Sequence, residues 1–111
     1  MTPAIILQEL RRRSRMFQYE IAHGPGFTML VTLAYEAQAG VPVSVTSLCL
    51  ASYTPPTTAL RHLGLLEQMG LVERIADALD ARRVWIELTE DGAGLMAEYF
   101  GTITERSRAR A

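Results

Sequence analysis

The chain has 111 residues, of which 49% are hydrophobic, and its 11 basic and 12 acidic side chains give a formal net charge of −1 at pH 7. This length suits one compact domain, and no apolar run approaches the roughly 18 residues of a membrane span, so we expect a soluble, cytoplasmic protein. The charge balance lacks the basic excess of a dedicated nucleic-acid binder, so any contact with DNA would have to come from local clusters of arginine.

Helical signals dominate the first half of the chain. Thr2, which is followed by a proline, is typical of a helix start. Apolar residues at helical spacing predict a first helix over 1–22, which the following HGPG sequence ends. An apolar stretch at 27–40 that closes on a glycine predicts a second helix at the centre of the core. Residues 41–52 predict a turn or short extended piece and then a short helix.

The second half changes from helical to alternating patterns. A proline-rich start predicts a helix over 55–69, which a glycine ends. Two alternating stretches at 71–75 and 82–88 predict strands that are joined by a hairpin loop. Acidic residues in the first turn predict a last helix over 90–105.

This order of elements predicts one domain over 1–111 that is mainly α with a two-stranded β wing. An isolated hairpin is only marginally stable, so the wing at 71–89 must pack on the helices. Two helices joined by a short turn and followed by a hairpin describe a winged helix-turn-helix, and we expect it to span 27–89.

Three motifs follow one another in the second half of the chain: TTALRHLGLLEQMGLVER at 57–74, DARR at 80–83 and LTEDG at 88–92. Together they resemble the MarR-type winged-helix transcriptional regulators, which carry a leucine-rich recognition helix, a GLV-x-R entry to the wing, a D-x-R-R element and an LT-x-x-G helix start. The resemblance implies a dimeric repressor or activator that binds double-stranded DNA in a sequence-specific manner.

A helical wheel divides the predicted recognition helix into two faces. Three residues set the direction of the core: Ala59, Leu63 and Leu66. The opposite stripe suits a major groove and contains Thr57, Arg61, Gly64 and Gln68. Pro56 and Thr58 at the helix start complete the candidate DNA contacts in this helix. The alternative is a solvated helix face. His62 lies near the core direction, which favours a packed histidine over a base reader.

Arg82 and Arg83 begin the second predicted strand, so their side chains point to opposite faces. We assign Arg82 to the phosphate backbone or the minor groove, and Arg83 to a clasp with Asp80, although the two arginines could exchange roles. Asp80 and Arg74 are expected to structure the wing. The alternative is that the arginine pair only solubilises a hairpin tip. With so few cations, binding should be modest and strongly dependent on salt.

The first and last predicted helices carry more apolar side chains than one small protomer can bury. Those of the last helix are Leu95, Met96, Tyr99, Phe100 and Ile103. We predict that the two helices pack across a two-fold axis and form a homodimer interface. The dimer would read a palindromic site whose half-sites lie about one turn of DNA apart.

Other chemistry has little support in the sequence. One cysteine and two histidines form no spaced metal site, and no nucleophile elbow or phosphate-binding glycine loop is present, so neither an enzyme nor a cofactor is expected. The main alternative function is a winged-helix protein-interaction module without autonomous DNA binding, which the net charge favours. A weaker hypothesis adds a small-molecule effector between the terminal helices and the DNA-binding core.

Overall fold

Six helices and a three-stranded antiparallel sheet make up the fold in the computed structural model, which describes the backbone of residues 1–110 and the side chains of residues 1–101. The elements are α1 Pro3–Met16, α2 Tyr19–Ala22, α3 Pro25–Ala39, β1 Val43–Ser44, α4 Val45–Ala51, α5 Pro56–Gln68, β2 Val72–Ala76, β3 Val84–Leu88 and α6 Glu90–Arg110. The predicted winged helix-turn-helix architecture is confirmed. No helix in the described part of the chain is long and apolar enough to cross a membrane.

The prediction of one helix over 1–22 is wrong, because the chain breaks at Phe17. Thr2 caps α1 as expected, accepting a hydrogen bond from the Ile5 N–H at 3.3 Å. Phe17 adopts an extended conformation (φ −124°, ψ 150°). This turns its ring into the core, where it meets Phe27 and Tyr99 edge-on, with ring centroids 5.4 and 5.9 Å away. The helix is therefore interrupted at Phe17, and the interruption allows the Phe17 ring to pack in the core.

Helix α3 is the centre of the core, as its apolar sequence predicts. Its buried side chains include Phe27, Met29, Leu30 and Leu33, and it packs against α2, α4, α5, α6 and β3. Gly40 ends the helix in the left-handed conformation (φ +70°), which glycine adopts without strain. This helix supplies the platform on which α5 rests.

The sheet has the order β1-β3-β2. The first strand, which pairs Val43 with Ile86, was not predicted as part of the wing because only two residues are extended. On the other side of β3, Val72 pairs with Leu88. One face of the sheet packs against the helical core, because it carries the buried side chains of Val43, Val72 and Ile86. The exposed wing extends from that anchored face.

Helix α6 contributes more to its own protomer than the sequence indicates. Met96 and Tyr99 are 1% and 3% exposed, and the Tyr99 hydroxyl donates a hydrogen bond to Glu9 of α1. The prediction that these two side chains pack across a two-fold axis is therefore wrong. Leu95 and Phe100 are partly buried against the same core. The side chain of Ile103 lies outside the described residues.

The LT-x-x-G motif has a steric explanation in the connection from the wing to α6. The Thr89 N–H donates to the Leu71 carbonyl at 3.0 Å, and the Thr89 hydroxyl accepts from the Gly92 N–H at 3.0 Å. A Cβ on residue 92 would overlap the Leu71 carbonyl oxygen. Glycine is required there because the backbones of α6 and of the segment entering β2 touch.

We expect Gly92→Ala to lower the free energy of unfolding by about 2–3 kcal/mol, the cost of forcing atoms into a packed region. Gly94→Ala is the matched control in the same helix, since nothing lies within 4 Å of an added Cβ there, and it should stabilise by about 0.5–1 kcal/mol through helix propensity. Urea unfolding followed by circular dichroism measures both variants. Equal stability of the two variants would contradict this steric account.

Candidate nucleic-acid interface

Helix α5 presents a polar stripe to solvent because its opposite face is anchored. Ala59, Leu63 and Leu66 have no exposed surface, as the wheel predicted. The outward stripe, called the recognition stripe below, consists of Thr57, Arg61, Gly64 and Gln68. Its Thr57, Arg61 and Gln68 are exposed, and a Cβ added at Gly64 would meet nothing within 4 Å. The backbone at Gly64 is therefore open to close approach by a groove.

The proline-rich start of α5 has no side-chain cap. The N-cap residue is Pro55, which makes no side-chain cap hydrogen bond, while the Thr54 hydroxyl pairs instead with that of Ser52 at 2.8 Å. Pro56 is exposed at the first position of the helix and Thr58 is partly buried. The threonine thus stabilises the turn between α4 and α5 and leaves the first turn of α5 uncapped by a side chain.

His62 is a packed histidine, as predicted, and its ring is 7% exposed. Its Nε2 lies 3.2 Å from Nη2 of Arg61. Because a guanidinium only donates, Nε2 must accept, and the proton of the neutral ring is on Nδ1. That Nδ1 is buried without a hydrogen-bond partner among the described residues. Burial, with a smaller contribution from the Arg61 charge, lowers the pKa of His62, while Glu20 opposes the shift.

The lowered pKa of His62 predicts that the folded protein loses stability on mild acidification. Unfolded histidine titrates near pH 6.5, and the folded ring binds its proton only at lower pH, so the unfolded state takes up more protons below that value. The free energy of unfolding should therefore fall as the pH drops from 7.5 to 5.5.

Urea midpoints at the two pH values test this prediction. His62→Gln should remove most of the pH dependence, whereas His23→Gln, which changes an exposed histidine, should retain it. An identical pH dependence in His62→Gln and in the unmodified protein would contradict the assignment.

The two wing arginines have different partners from those assigned in the sequence. Asp80 Oδ1 accepts from the Arg82 backbone N–H at 2.9 Å and lies 3.4 Å from Arg82 Nε. The predicted clasp between Asp80 and Arg83 is therefore wrong, and the exchanged pairing is the one present. Arg83 instead stacks on Trp85, with its Cζ 5.3 Å from the ring centroid, because residues two apart on a strand share a face.

Arg82 remains available to a ligand despite its contact with Asp80. Its side chain is 93% exposed, and a long, solvated ion pair contributes little stability. A phosphate can displace such a contact at small cost. The structure thus leaves an exposed guanidinium on the wing, at the position the sequence assigned to the DNA backbone or the minor groove.

Arg74 connects the wing to the recognition helix. Its Nε lies 2.8 Å from Glu67 Oε1 at the last turn of α5. The pair fixes β2 against α5 and neutralises a carboxylate that flanks the recognition stripe. This contact supports the wing-structuring role expected of Arg74.

A polar cleft brings several of the predicted residues together. It has a volume of about 610 Å³ and lies between the β1–α4 connection and the wing. Its lining includes Ser44, Thr46, Ser47, Arg74, Asp80, Arg82 and Arg83. The three arginines therefore converge on one concave surface. The recognition stripe on α5 does not contribute to this lining, so the candidate interface has two separate parts.

Asp77 is the residue that the sequence analysis missed. Its Oδ1 accepts from the N–H groups of Leu79 and Asp80 at 2.8 and 3.1 Å, and its Oδ2 accepts from Trp85 Nε1 at 3.1 Å. These hydrogen bonds, led by the one from Leu79, hold the pKa of Asp77 below its usual value. An aspartate at the start of a hairpin loop favours such a turn, and that signal was present in the sequence.

The described part of the chain contains neither a metal site nor a reactive cysteine. No group of three or more His, Cys, Asp or Glu side chains there could hold a metal ion. Cys49 is half-buried, and burial raises the pKa of its thiol. A raised pKa leaves little reactive thiolate near neutral pH.

Solved structures of the same fold cover almost the whole chain. The complex of MepR from Staphylococcus aureus with DNA is 26% identical over 95% of this chain and 77% of that chain, with a TM-score of 0.65. MepR, a transcription regulator of the Staphylococcus aureus multidrug efflux pump MepA, is 21% identical over 98% of this chain and 82% of that chain, with a TM-score of 0.70. NadR in complex with 4-hydroxyphenylacetate is 21% identical over 96% of this chain and 72% of that chain, with a TM-score of 0.71.

These likenesses define the class of protein: the chain has the winged helix-turn-helix fold of the MarR-type regulators. The resemblance indicated by the three sequence motifs is therefore confirmed. No family model and no curated protein matches the chain.

Proposed function

We propose that the protein is a cytoplasmic, sequence-specific transcriptional regulator that binds double-stranded DNA. The observation that carries this proposal is the orientation of α5, whose fully buried face directs the recognition stripe outward. Arg61 would contact guanine or a phosphate, and Thr57 and Gln68 would hydrogen-bond to base edges. Gly64 would allow the helix to enter the major groove closely. The related MepR has been solved in complex with DNA.

The wing supplies the second contact in this proposal. Arg82 is almost fully exposed, and Arg83 is oriented by its stacking on Trp85. Both are suited to the phosphate backbone or to a narrow minor groove, where the negative potential attracts arginine. Asp80 and Arg74 would act indirectly by holding the wing in place.

We propose that the regulator works as a homodimer. Helix α1 contains no buried residue, and its apolar side chains Ile5, Ile6, Leu7 and Leu10 are between 37% and 46% exposed. Several exposed apolar side chains on one helix of a small protein indicate a binding partner. A second copy related by a two-fold axis would cover it and would place two recognition helices on a palindrome.

A small-molecule effector is a further part of the proposal. An open cleft of about 460 Å³ lies beside α1 and α3 and is lined by Arg13, Phe27, Thr28, Val31, Thr32 and Tyr35. Aromatic rings and one guanidinium suit a small aromatic acid, and the related NadR was solved with 4-hydroxyphenylacetate. A thermal-shift screen with small aromatic acids tests this point, and uniformly unchanged melting would count against it.

One observation favours the alternative of a protein-interaction module. Glu73 lies opposite Glu87 across β2 and β3, and both side chains are exposed. Two facing carboxylates destabilise a sheet slightly and repel phosphate. They lie on the face that also carries Arg83 and Trp85. A basic protein surface would suit that face better than DNA.

Selection of bound sequences from a random pool of duplexes decides between the two functions. The regulator should enrich a palindrome whose half-sites lie about one DNA turn apart. Retention on heparin at low salt, and its loss as the salt concentration rises, should accompany this enrichment. No enrichment and no retention, even at low salt, would favour the interaction module.

A further inference from the structure

The loop between the two wing strands ends in an apolar surface. We define the wing tip as residues 77–83. Within it Leu79 is 98% exposed, and the neighbouring Ala78 and Ala81 are exposed as well. A single exposed leucine is common on protein surfaces, so exposure alone does not indicate a role. What distinguishes Leu79 is the degree of order of the loop that carries it.

Hydrogen bonds fix the wing tip from both ends. Asp77 Oδ1 accepts from the Leu79 and Asp80 N–H groups, and the Asp77 N–H donates to the Arg83 carbonyl at 3.2 Å. The Arg83 N–H in turn donates to the Asp80 carbonyl at 3.0 Å. The backbone of Leu79 is thus held in place before any partner binds. A preordered contact loses little conformational entropy on binding.

The carboxylates of the wing tip are directed at donors within the wing. Both oxygens of Asp77 are engaged, since Oδ2 accepts from Trp85 Nε1. Asp80 Oδ1 accepts from the Arg82 backbone N–H. The negative charges are therefore partly neutralised by their own hydrogen bonds, and next to them stands the exposed guanidinium of Arg82. The wing tip combines an apolar point with an adjacent cation.

That combination matches the minor groove of A·T-rich DNA. Apolar side chains such as leucine are used as wedges in minor grooves, and arginine is attracted to the enhanced negative potential of narrow ones. The floor of the groove carries an exocyclic N2 amino group at G·C pairs but not at A·T pairs. An apolar side chain cannot hydrogen-bond to that amino group and would be obstructed by it.

We propose that Leu79 contacts the minor groove beside each half-site and makes the protein favour A·T pairs there, and that Asp77 is the residue that positions it. The proposal rests on the proposed function, because it requires that α5 is bound in the major groove of DNA. Leu79 would select A·T pairs by its shape, without a hydrogen bond to a base. The selected site should accordingly extend beyond the bases that α5 contacts.

Inosine separates minor-groove from major-groove reading. An I·C pair presents the major groove of G·C but lacks the N2 amino group, so its minor groove resembles that of A·T. Affinity is measured by fluorescence anisotropy for three duplexes that carry the selected palindrome and differ only in the flanking pairs. The unmodified protein should bind the A·T and I·C duplexes equally, and the G·C duplex more weakly by about tenfold for each of the two flanks, the usual cost of a wrong base pair.

Leu79→Ala should bind all three duplexes with similar affinity, because the obstructed side chain is gone. Asp77→Ala should lose the same discrimination, since Leu79 would no longer be fixed. Trp85, the single tryptophan of the chain, provides an independent measurement on the free protein. Its emission should shift in Asp77→Ala, which removes the hydrogen bond to the indole, and remain unchanged in Leu79→Ala.

Two results would overturn the proposal while leaving the proposed function intact. One is binding of the palindrome by the unmodified protein without discrimination between I·C and G·C flanks. The other is unchanged discrimination in Leu79→Ala. Failure of the unmodified protein to bind any selected duplex would instead overturn the proposed function, so the two failures are distinguishable.

Discussion

Replacing Arg61 by alanine is expected to weaken binding to the selected palindrome by about 1–3 kcal/mol per half-site, the typical contribution of a bidentate arginine contact with guanine. A symmetric dimer loses this free energy in both half-sites, about 2–6 kcal/mol in total, so we expect the affinity to decrease by about thirtyfold or more. Because Arg61 is exposed on α5, the fold should persist. Anisotropy titrations at several salt concentrations measure the effect.

Arg61→Lys is the matched control for this prediction. Lysine keeps the charge but lacks the planar fork that recognises guanine. The lysine variant should retain the salt dependence of binding and lose discrimination at one base pair of each half-site. If alanine and lysine both left affinity and specificity unchanged, the recognition stripe would not contact the bases.

Placing charges on the apolar face of α1 is expected to dissociate the dimer and, with it, to weaken binding to the palindrome by at least ~100-fold. Ile6 and Leu10 are spaced four residues apart on the same face and are 43% and 37% exposed. The double substitution Ile6→Glu with Leu10→Glu would bury two carboxylates without partners in each protomer, four in the dimer, which costs several kcal/mol per dimer. Analytical ultracentrifugation and anisotropy should show a folded monomer with at least ~100-fold weaker binding.

Ala4→Glu is the control for the dimer prediction, because Ala4 is exposed on the opposite side of α1 and near its N-terminus, where a carboxylate is favourable. This variant should remain a dimer and bind normally. A dimer in the double variant would show that α1 does not form the two-fold interface. A monomer in both the double variant and the unmodified protein would show that the protein does not dimerise.

The local signals in the sequence were sufficient for most of the fold. The burial of Ala59, Leu63 and Leu66 follows directly from helical spacing, and the strand positions follow from alternation. The break at Phe17 was not predictable in this way, because an aromatic ring at helical spacing gives the same pattern whether or not the helix continues. The two-residue strand at Val43 is too short to produce a periodic signal.

Tertiary contacts explain the remaining errors. Met96 and Tyr99 appeared available for a dimer interface, but they fill a core whose aromatic cluster is assembled only when α1, α3 and α6 meet. Periodicity assigns a side chain to a face and does not say which neighbour covers it. The sequence could not decide whether Asp80 contacts Arg82 or Arg83, because the geometry of the turn determines which of the two arginines lies near its carboxylate.

The sequence predicted which residues of the candidate site are exposed more accurately than it predicted their hydrogen-bond partners. The recognition stripe and Arg82 are exposed at the positions the sequence indicated. Asp77 was overlooked because the sequence shows only an acid in a loop, whereas its three hydrogen bonds depend on the closure of the hairpin. The organisation of the wing tip is therefore a finding of the structure.

In the proposed complex, α5 occupies the major groove while the wing contacts the adjacent minor groove. Dimethyl sulfate footprinting reports on both grooves at once, since the reagent methylates guanine N7 in the major groove and adenine N3 in the minor groove. We predict protection of guanine N7 within each half-site, lost in Arg61→Ala, and protection of flanking adenine N3, lost in Arg82→Ala. If both protections persisted in the two variants, or if the protein protected no base of the selected palindrome, α5 and the wing would not bind the two grooves in this way.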